Sequence, residues 1–339
     1  MLSHRPSVLA KLLPLLTGDH GSDFDHGSGF DLVGEGLEVS GPAWCDRLER
    51  MLAILSAGER EGLYAVRLED ELALPLPAAK VLAQARSAWF PEFLAHGRWV
   101  PQFQPIVDFA TGGVLGREAL MRGRLGAAEL RGDDLVRAAE AHDGLYFFDR
   151  RARMVALEAG LPLLPPGEVL FVNLDPRAVV DIESSLSSTW PAVERVPQPR
   201  PSLCLELVAV DSTEDLGLLA ALSAAHRERG ASIALDDLSG GAASLARLEA
   251  VRPDFAKLDI ALVGGIDRSP ARRHLASAVI ELAHELGTRV IAEGVERVAE
   301  YEAVRALGVD CGQGYFFGHP TERPLTVGVL EVDGLSADQ

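Results

Sequence analysis

The feature that most constrains this chain is an alternation that begins after Trp99. Short runs rich in β-branched and aromatic residues take turns with helix-patterned stretches. The pattern predicts strands at 102–108, 114–121, 169–174, 203–208, 232–237, 255–259, 289–294 and 311–316. It predicts helices in the gaps, for example over 216–229 and 272–286. Alternation at this spacing builds βα units around a mostly parallel sheet, and eight strands close such a sheet into a barrel. An open doubly wound sheet is the alternative, but no G-x-G-x-x-G follows an early strand.

Polar residues recur at the far ends of these strands. Asn173 ends FVN, Glu206 ends LCLE, Asp236 and Asp237 end IALDD, and Glu293 ends VIAE. Lys257 and Asp259 sit in FAKLD, and Glu118 lies near the end of VLGREAL. A charged group inside an apolar strand is costly unless something pairs with it. In a parallel barrel the strand C-termini open onto one face, so these side chains converge. Converging carboxylates either protonate or bind cations. An all-oxygen donor set suits Mg²⁺, Mn²⁺ or Ca²⁺ rather than zinc, and paired metals are a standard device for phosphate-ester hydrolysis. Any one of these residues, taken alone, could instead cap a helix or pair with an arginine.

Composition narrows the partners. The net charge is −18 and lysine occurs only at Lys11, Lys80 and Lys257, with no Lys/Arg cluster of the kind nucleic acid requires. Duplex nucleic acid is repelled by such a field. Metal ions would have to supply the attraction for a phosphate ligand. Cys45, Cys204 and Cys311 are scattered and form no CxxC pair, so neither a disulfide framework nor a zinc knuckle is expected, and a reducing cytoplasmic location fits. No apolar run approaches the roughly 18 residues of a membrane span.

The first part of the chain has a different texture. Residues 8–16 read as a short amphipathic helix, interrupted by Lys11 and Pro14, rather than a targeting signal. Residues 18–29 read as a flexible Gly/Asp/His/Ser linker rather than a metal site, although His20, His26, Asp19, Asp23 and Asp25 lie in it. From Pro42 to about His96 the pattern is helical, with Trp44, Leu48, Met51, Leu52 and Leu55 on one periodic face and a second stretch over 78–94. The division expected is a mainly helical segment of unknown role over 1–98 and a barrel over 99–330.

The motifs then carry a resemblance. FQPIVDFATGGVLGREALMRG, with the triplet Glu118-Ala119-Leu120, resembles the opening signature of EAL-domain cyclic di-GMP phosphodiesterases. FVNLDP, LCLELV, LDD, KLD, AEGVE and GQGYFFGHP follow in that family's order. The resemblance implies a TIM-barrel variant, an α/β (β/α)8 fold whose first strand runs antiparallel to the rest. It implies hydrolysis of cyclic di-GMP to linear pGpG with Mg²⁺ or Mn²⁺, two ions per site, Ca²⁺ binding and inhibiting, and a homodimer. Glu118, Asn173, Glu206 and Asp236 match ligands of one metal, and Asp236 and Asp237 match those of the second. Lys257 matches the lysine holding the attacking water, Glu293 the general base, and Gln313 a glutamine required in the site. Arg122 matches an arginine on a substrate phosphate, Gln104 and Asp259 belong to the substrate pocket, and Glu296 matches a supporting glutamate.

Two features depart from the family pattern. Leu238-Ser239-Gly240-Gly241-Ala242-Ala243-Ser244 replaces the usual F-G-T-G loop after the paired aspartates, and Ala209 replaces a glutamate that anchors that loop. Both bear on one structural element. They make a catalytically impaired cyclic di-GMP receptor the alternative to the enzyme.

Overall fold

The computed structural model describes residues 30–33, 36–39, 44–65, 75–165, 167–197, 200–208 and 215–323. The expected helix at 8–16, the expected linker at 18–29 and Ala209 lie outside them. The chain divides into two compact units, one running to His96 and including Asp133–Gly144, the other formed by Gly97–Gly132 and the residues from Leu145 onward.

The first unit contains two antiparallel strand pairs, β1 (Phe30–Val33) with β2 (Gly36–Val39) and β3 (Tyr64–Ala65) with β4 (Leu76–Pro77). Its helices are α1 (Trp44–Ala53), α2 (Ala57–Glu61), α3 (Ala78–Arg86), α4 (Phe90–His96) and α5 (Gly132–Ala141). Leu48, Met51 and Leu52 recur at three- and four-residue steps, which places them on one side of α1, where they pack with Leu55 just beyond the helix and with Leu63 and Ala78. The stretch over 78–94 is two helices rather than one. Residues 87–89 form a turn, and Pro91, which has no N–H and restricts the residue before it, is accommodated in the first turn of the new helix. Helix α5 follows the first barrel strands in sequence yet belongs to this unit. Its neighbours hold it here: Lys80 pairs with Asp143 at 2.6 Å, Gln84 Nε2 donates to Ala141 O at 2.9 Å, and Phe90 stacks on His142 at 5.6 Å.

The second unit is the barrel. Its strands are β5 (Arg98–Asp108), β6 (Val114–Leu125), β7 (Ala128–Leu130), β8 (Val169–Leu174), β9 (Ser202–Leu207), β10 (Ser232–Leu238), β11 (Phe255–Leu258), β12 (Arg289–Ala292) and β13 (Cys311–Gln313). The hydrogen-bonded order β5-β13-β12-β11-β10-β9-β8-β6 closes through β5–β6, and β7 extends β6 as a short antiparallel flap. Strand β5 is antiparallel to both neighbours, and the remaining barrel pairings are parallel. The outer helices are α6 (Leu145–Gly160), α7 (Ile182–Glu194), α8 (Leu216–Glu228), α9 (Ala242–Val251), α10 (Ile260–Val263), α11 (Pro270–Glu285) and α12 (Val298–Ala306). No helix among the described residues is long and apolar enough to cross a membrane.

One core layer explains where the site sits. Ile106, Phe171, Cys204, Ala234, Phe255, Ile291 and Cys311 form a buried cluster, one residue from each of seven strands. Side chains alternate across a strand with period two. Two residues further toward the same mouth, on the same inner face, stand Gln104, Asn173, Glu206, Asp236, Lys257, Glu293 and Gln313. The apolar layer is the floor, and the polar ring is the next layer up.

Candidate active site

Lys257 is the centre of that ring and is fully buried. Its Nζ lies 2.6 Å from Glu293 Oε1, 3.0 Å from Glu118 Oε2, 3.0 Å from Glu206 Oε1 and 3.7 Å from Asp236 Oδ1. An ammonium carries one positive charge and three protons to donate, so four carboxylates exceed what it can neutralise or hydrogen-bond. Burial works against its charge, but Asp236, Glu118, Glu206 and Glu293 together hold it well above the ordinary lysine value.

The carboxylates respond unequally. Burial pushes Glu206 well up, and Glu118 adds to the shift. Burial and then Asp236 push Glu293 well up. Asp236 is raised chiefly by burial. Glu118 goes the other way: burial opposes its charge, but Lys257, Gln313 and Asn173 hold it below the usual range. Gln313 Nε2 donates to Glu118 Oε2 at 2.7 Å and to Gln104 Oε1 at 3.1 Å, while Asn173 Nδ2 donates to Glu118 Oε1 at 3.3 Å. Gln104 is itself anchored through Nε2 to Gly318 O at 3.1 Å. A relay of amides thus fixes the Glu118 carboxylate from both sides.

Asp236 and Asp237 are consecutive, and a regular strand would point them apart. The β10–β11 register shifts between Leu235 and Leu238, and Asp237 takes a left-handed φ of 58°. Aspartate tolerates that region better than most residues. The bulge brings oxygens of Asp236, Asp237 and Glu293 within 4.8 Å of one another. Asp237 N–H also donates to Asp236 Oδ1 at 3.0 Å.

The donor chemistry fits a hard divalent cation. The converging groups offer oxygen only, and Asn173 Oδ1, Glu206 Oε2 and Gln313 Oε1 are buried without a hydrogen-bond partner. Buried acceptors left unmet are costly, and a cation relieves that cost together with the excess negative charge.

The remaining expected residues follow ring residues closely along the chain. Arg122 is four residues beyond Glu118 on β6, on the same inward-facing side, and Nη1 donates to Met121 O at 2.9 Å. Asp259 is the N-cap of α10, accepting from Ala261 N at 2.6 Å. Glu296 is exposed on the loop after β12, and its N–H donates to Glu300 Oε2 at 3.1 Å. Glu300, which sequence reasoning passed over, is buried and serves that loop. Its signal was available as a glutamate three residues after a helix N-cap, the spacing of a carboxylate that reaches back to free backbone N–H groups.

In the altered loop, Leu238 is buried, Gly240 adopts φ 81°, and Ser239 and Ser244 hydroxyls lie 3.4 Å apart. The loop is therefore closed by apolar packing and a weak hydroxyl pair.

Comparison with known proteins decides the family, because the EAL domain matches residues 87–320. The chain belongs to the EAL domain family. An EAL protein from Vibrio cholerae O395, solved in a c-di-GMP bound form, superposes with a TM-score of 0.59 at 27% identity, covering 69% of this chain and 97% of that one. The YkuI protein of Bacillus subtilis, an EAL protein in complex with c-di-GMP and calcium, gives a TM-score of 0.61 at 22% identity over 71% of this chain and 60% of that one, a likeness of fold. The cyclic di-GMP phosphodiesterase NbdA of Pseudomonas aeruginosa is 30% identical over 238 residues, 68% of this chain and 29% of that protein. Two rhizobial relatives are likewise covered over only 30% and 29% of their lengths, so the chain spans under a third of these relatives. The EAL match begins at residue 87, inside the segment that sequence texture assigned to the N-terminal part, and so takes in α4.

Proposed function

We propose that this chain is a cyclic di-GMP phosphodiesterase that hydrolyses one phosphodiester bond of the cyclic dinucleotide to linear pGpG, using two Mg²⁺ or Mn²⁺ ions. The observation that carries the reading is the buried, partnerless acceptor pair Asn173 Oδ1 and Glu206 Oε2 beside Glu118 and Asp236 at the barrel mouth. Glu118, Asn173, Glu206 and Asp236 would hold one ion, and Asp236 and Asp237 the second, with Glu293 beside them. When bound, such ions acidify a water and offset the charge of the phosphate.

The chain's own groups divide the remaining work. Lys257 stays charged and, through Nζ–H, orients the attacking water and opposes the negative charge of the phosphate. Glu293, whose Oε1 lies 2.6 Å from Lys257 Nζ, would take the water's proton as general base once the ions are bound. Gln313, held by Gln104, keeps Glu118 oriented. The Arg122 guanidinium meets a substrate phosphate, Asp259 lies at the rim where substrate enters, and Glu296 supports the site from its loop.

The receptor reading uses the same pocket without cleavage, and the loop after Asp237 is the feature that favours it. A homodimer in the cytoplasm belongs to the proposal as well; a monomer in light scattering at micromolar concentration contradicts the dimer. The test of the pocket is calorimetric titration of cyclic di-GMP in Ca²⁺, followed by Ca²⁺ competition in a Mn²⁺ assay. Binding in the first and inhibition in the second are expected. No heat of binding contradicts both the enzyme and the receptor.

A further inference from the structure

The two residues proposed to handle the attacking water, Lys257 and Glu293, lie at the ends of neighbouring strands that are followed by different loops. After β11 the chain turns at Asp259 into α10 and reaches Gly265. After β12 it runs through Gly294, Val295 and Glu296 into α12. One buried carboxylate joins the two. Glu300 Oε1 accepts from Gly265 N at 2.8 Å, and Oε2 accepts from Glu296 N and Arg297 N, both at 3.1 Å. Arg297 balances its charge at 2.7 Å and reaches across to Asp267, 2.6 Å away, in the segment after β11.

The loops have little slack besides this tie. Gly294 has φ 65°, and a Cβ there would stand 2.2 Å from Ile260 Cγ1, so α10 packs directly onto the β12 loop. Glu293 N donates to Leu258 O at 3.2 Å, and Val295 N to Gln313 O at 3.0 Å. A shift at Glu296 is therefore passed to Glu293 and to the strand that carries Gln313.

We propose that Glu300 is a positioning residue, which sets the Lys257–Glu293 geometry by tying the loops that follow β11 and β12 to each other. The inference rests on the phosphodiesterase reading for its catalytic consequence but not for its structural one. A carboxylate is suited to the role because each of its oxygens serves a different loop. An amide at this position keeps an acceptor for only one of them.

The test compares wild type, Glu300→Ala and Glu300→Gln by site-resolved hydrogen exchange and by steady-state kinetics with Mn²⁺. Exchange in Glu300→Ala should rise about tenfold or more at Glu293 and Val295, residues that Glu300 does not touch, with a smaller rise in Glu300→Gln. Values of kcat should fall by about 10- to 100-fold in the alanine variant, the range that an ångström-scale misplacement produces, with KM within about threefold and partial recovery in Glu300→Gln. Exchange that rises only at Gly265, Glu296 and Arg297, or kcat and KM that are both unchanged, overturns the proposal. If Glu300→Ala does not fold, Glu300→Gln carries the same comparison. A wild type that releases no pGpG sinks the phosphodiesterase reading alone, and the exchange at Glu293 and Val295 still decides the role of Glu300.

Discussion

Lys257 Nζ and Glu293 Oε1 meet at 2.6 Å across the β11–β12 pair, and the same ammonium is the only cation among the described residues in contact with Glu118, Glu206 and Asp236. A buried charge stripped of its partner is far costlier than the pair was favourable. Replacing Lys257 by methionine should therefore lower the stability of metal-free protein by about 3 kcal/mol or more. Excess Mn²⁺ should restore much of the loss, because a cation bound only by the folded state stabilises it. Thermal melts in EDTA and in Mn²⁺ read this directly. An unchanged Tm in EDTA contradicts the role of Lys257 as counter-ion.

The loop after the paired aspartates depends on Gly240. Its φ of 81° is unfavourable for any side chain, and a Cβ would lie 2.7 Å from Leu275 Cγ. Gly240→Ala should cost about 1–3 kcal/mol and reduce turnover by disturbing the neighbouring Asp237. Urea denaturation with a parallel activity assay checks both. A variant with wild-type stability shows that the loop is free to adopt another path.

His226 gives a pH signature away from the carboxylate ring. Trp190 Nε1 donates to its Nδ1 at 3.2 Å, so Nδ1 is the acceptor and Nε2 carries the proton, facing Ser185 Oγ at 3.0 Å. Protonating Nδ1 would set two donors against each other. Burial foremost, then Arg153 and Arg229, lower its pKa from 6.5 to about 4. The unfolded chain therefore takes up this proton first as pH falls. The stability contributed by neutral His226 is whole above pH 6.5 and is lost on going down to about 4. The loss is on the order of 2 kcal/mol or more. His226→Gln should flatten that part of the stability–pH curve. An identical slope in the variant contradicts the assignment.

Much of the barrel was legible in the sequence. Strand β8 is Val169–Leu174, as its β-branched and aromatic run predicts, and the ring residues announce themselves as polar groups two positions beyond apolar floor residues. The start of β5 at Arg98 was not legible, because Arg98 and Pro101 carry little strand preference and the segment is held by pairing with β6. The bulge that brings Asp236 and Asp237 together has no local signal either; it shows only in the register of β10 against β11. The two-residue strands β3 and β4 are too short for any periodicity to reveal. The reach of Glu300 to Gly265, 35 residues away, is a tertiary contact that no motif records.

The placement of α5 has a practical consequence. Leu135 and Ala139 of this helix are fully buried, and α3 and α4 supply the polar and aromatic ties of the segment that ends it. Residues 78–96 are thus proposed to be part of the frame that supports this helix. A chain beginning at Gly97 should melt several degrees lower, or aggregate, while one beginning at Pro75 should keep most of the stability. Equal melting temperatures for the two truncations contradict the proposal.

The central claim is metal-dependent phosphodiester hydrolysis at the Lys257 ring. Purified protein incubated with cyclic di-GMP and Mn²⁺ or Mg²⁺, with product followed by chromatography against an EDTA control and Glu206→Gln, tests it most directly. The account predicts linear pGpG from the wild type with metal, and none with EDTA or from Glu206→Gln. Intact cyclic di-GMP, in wild-type protein that still binds it, would contradict the enzyme and leave a receptor.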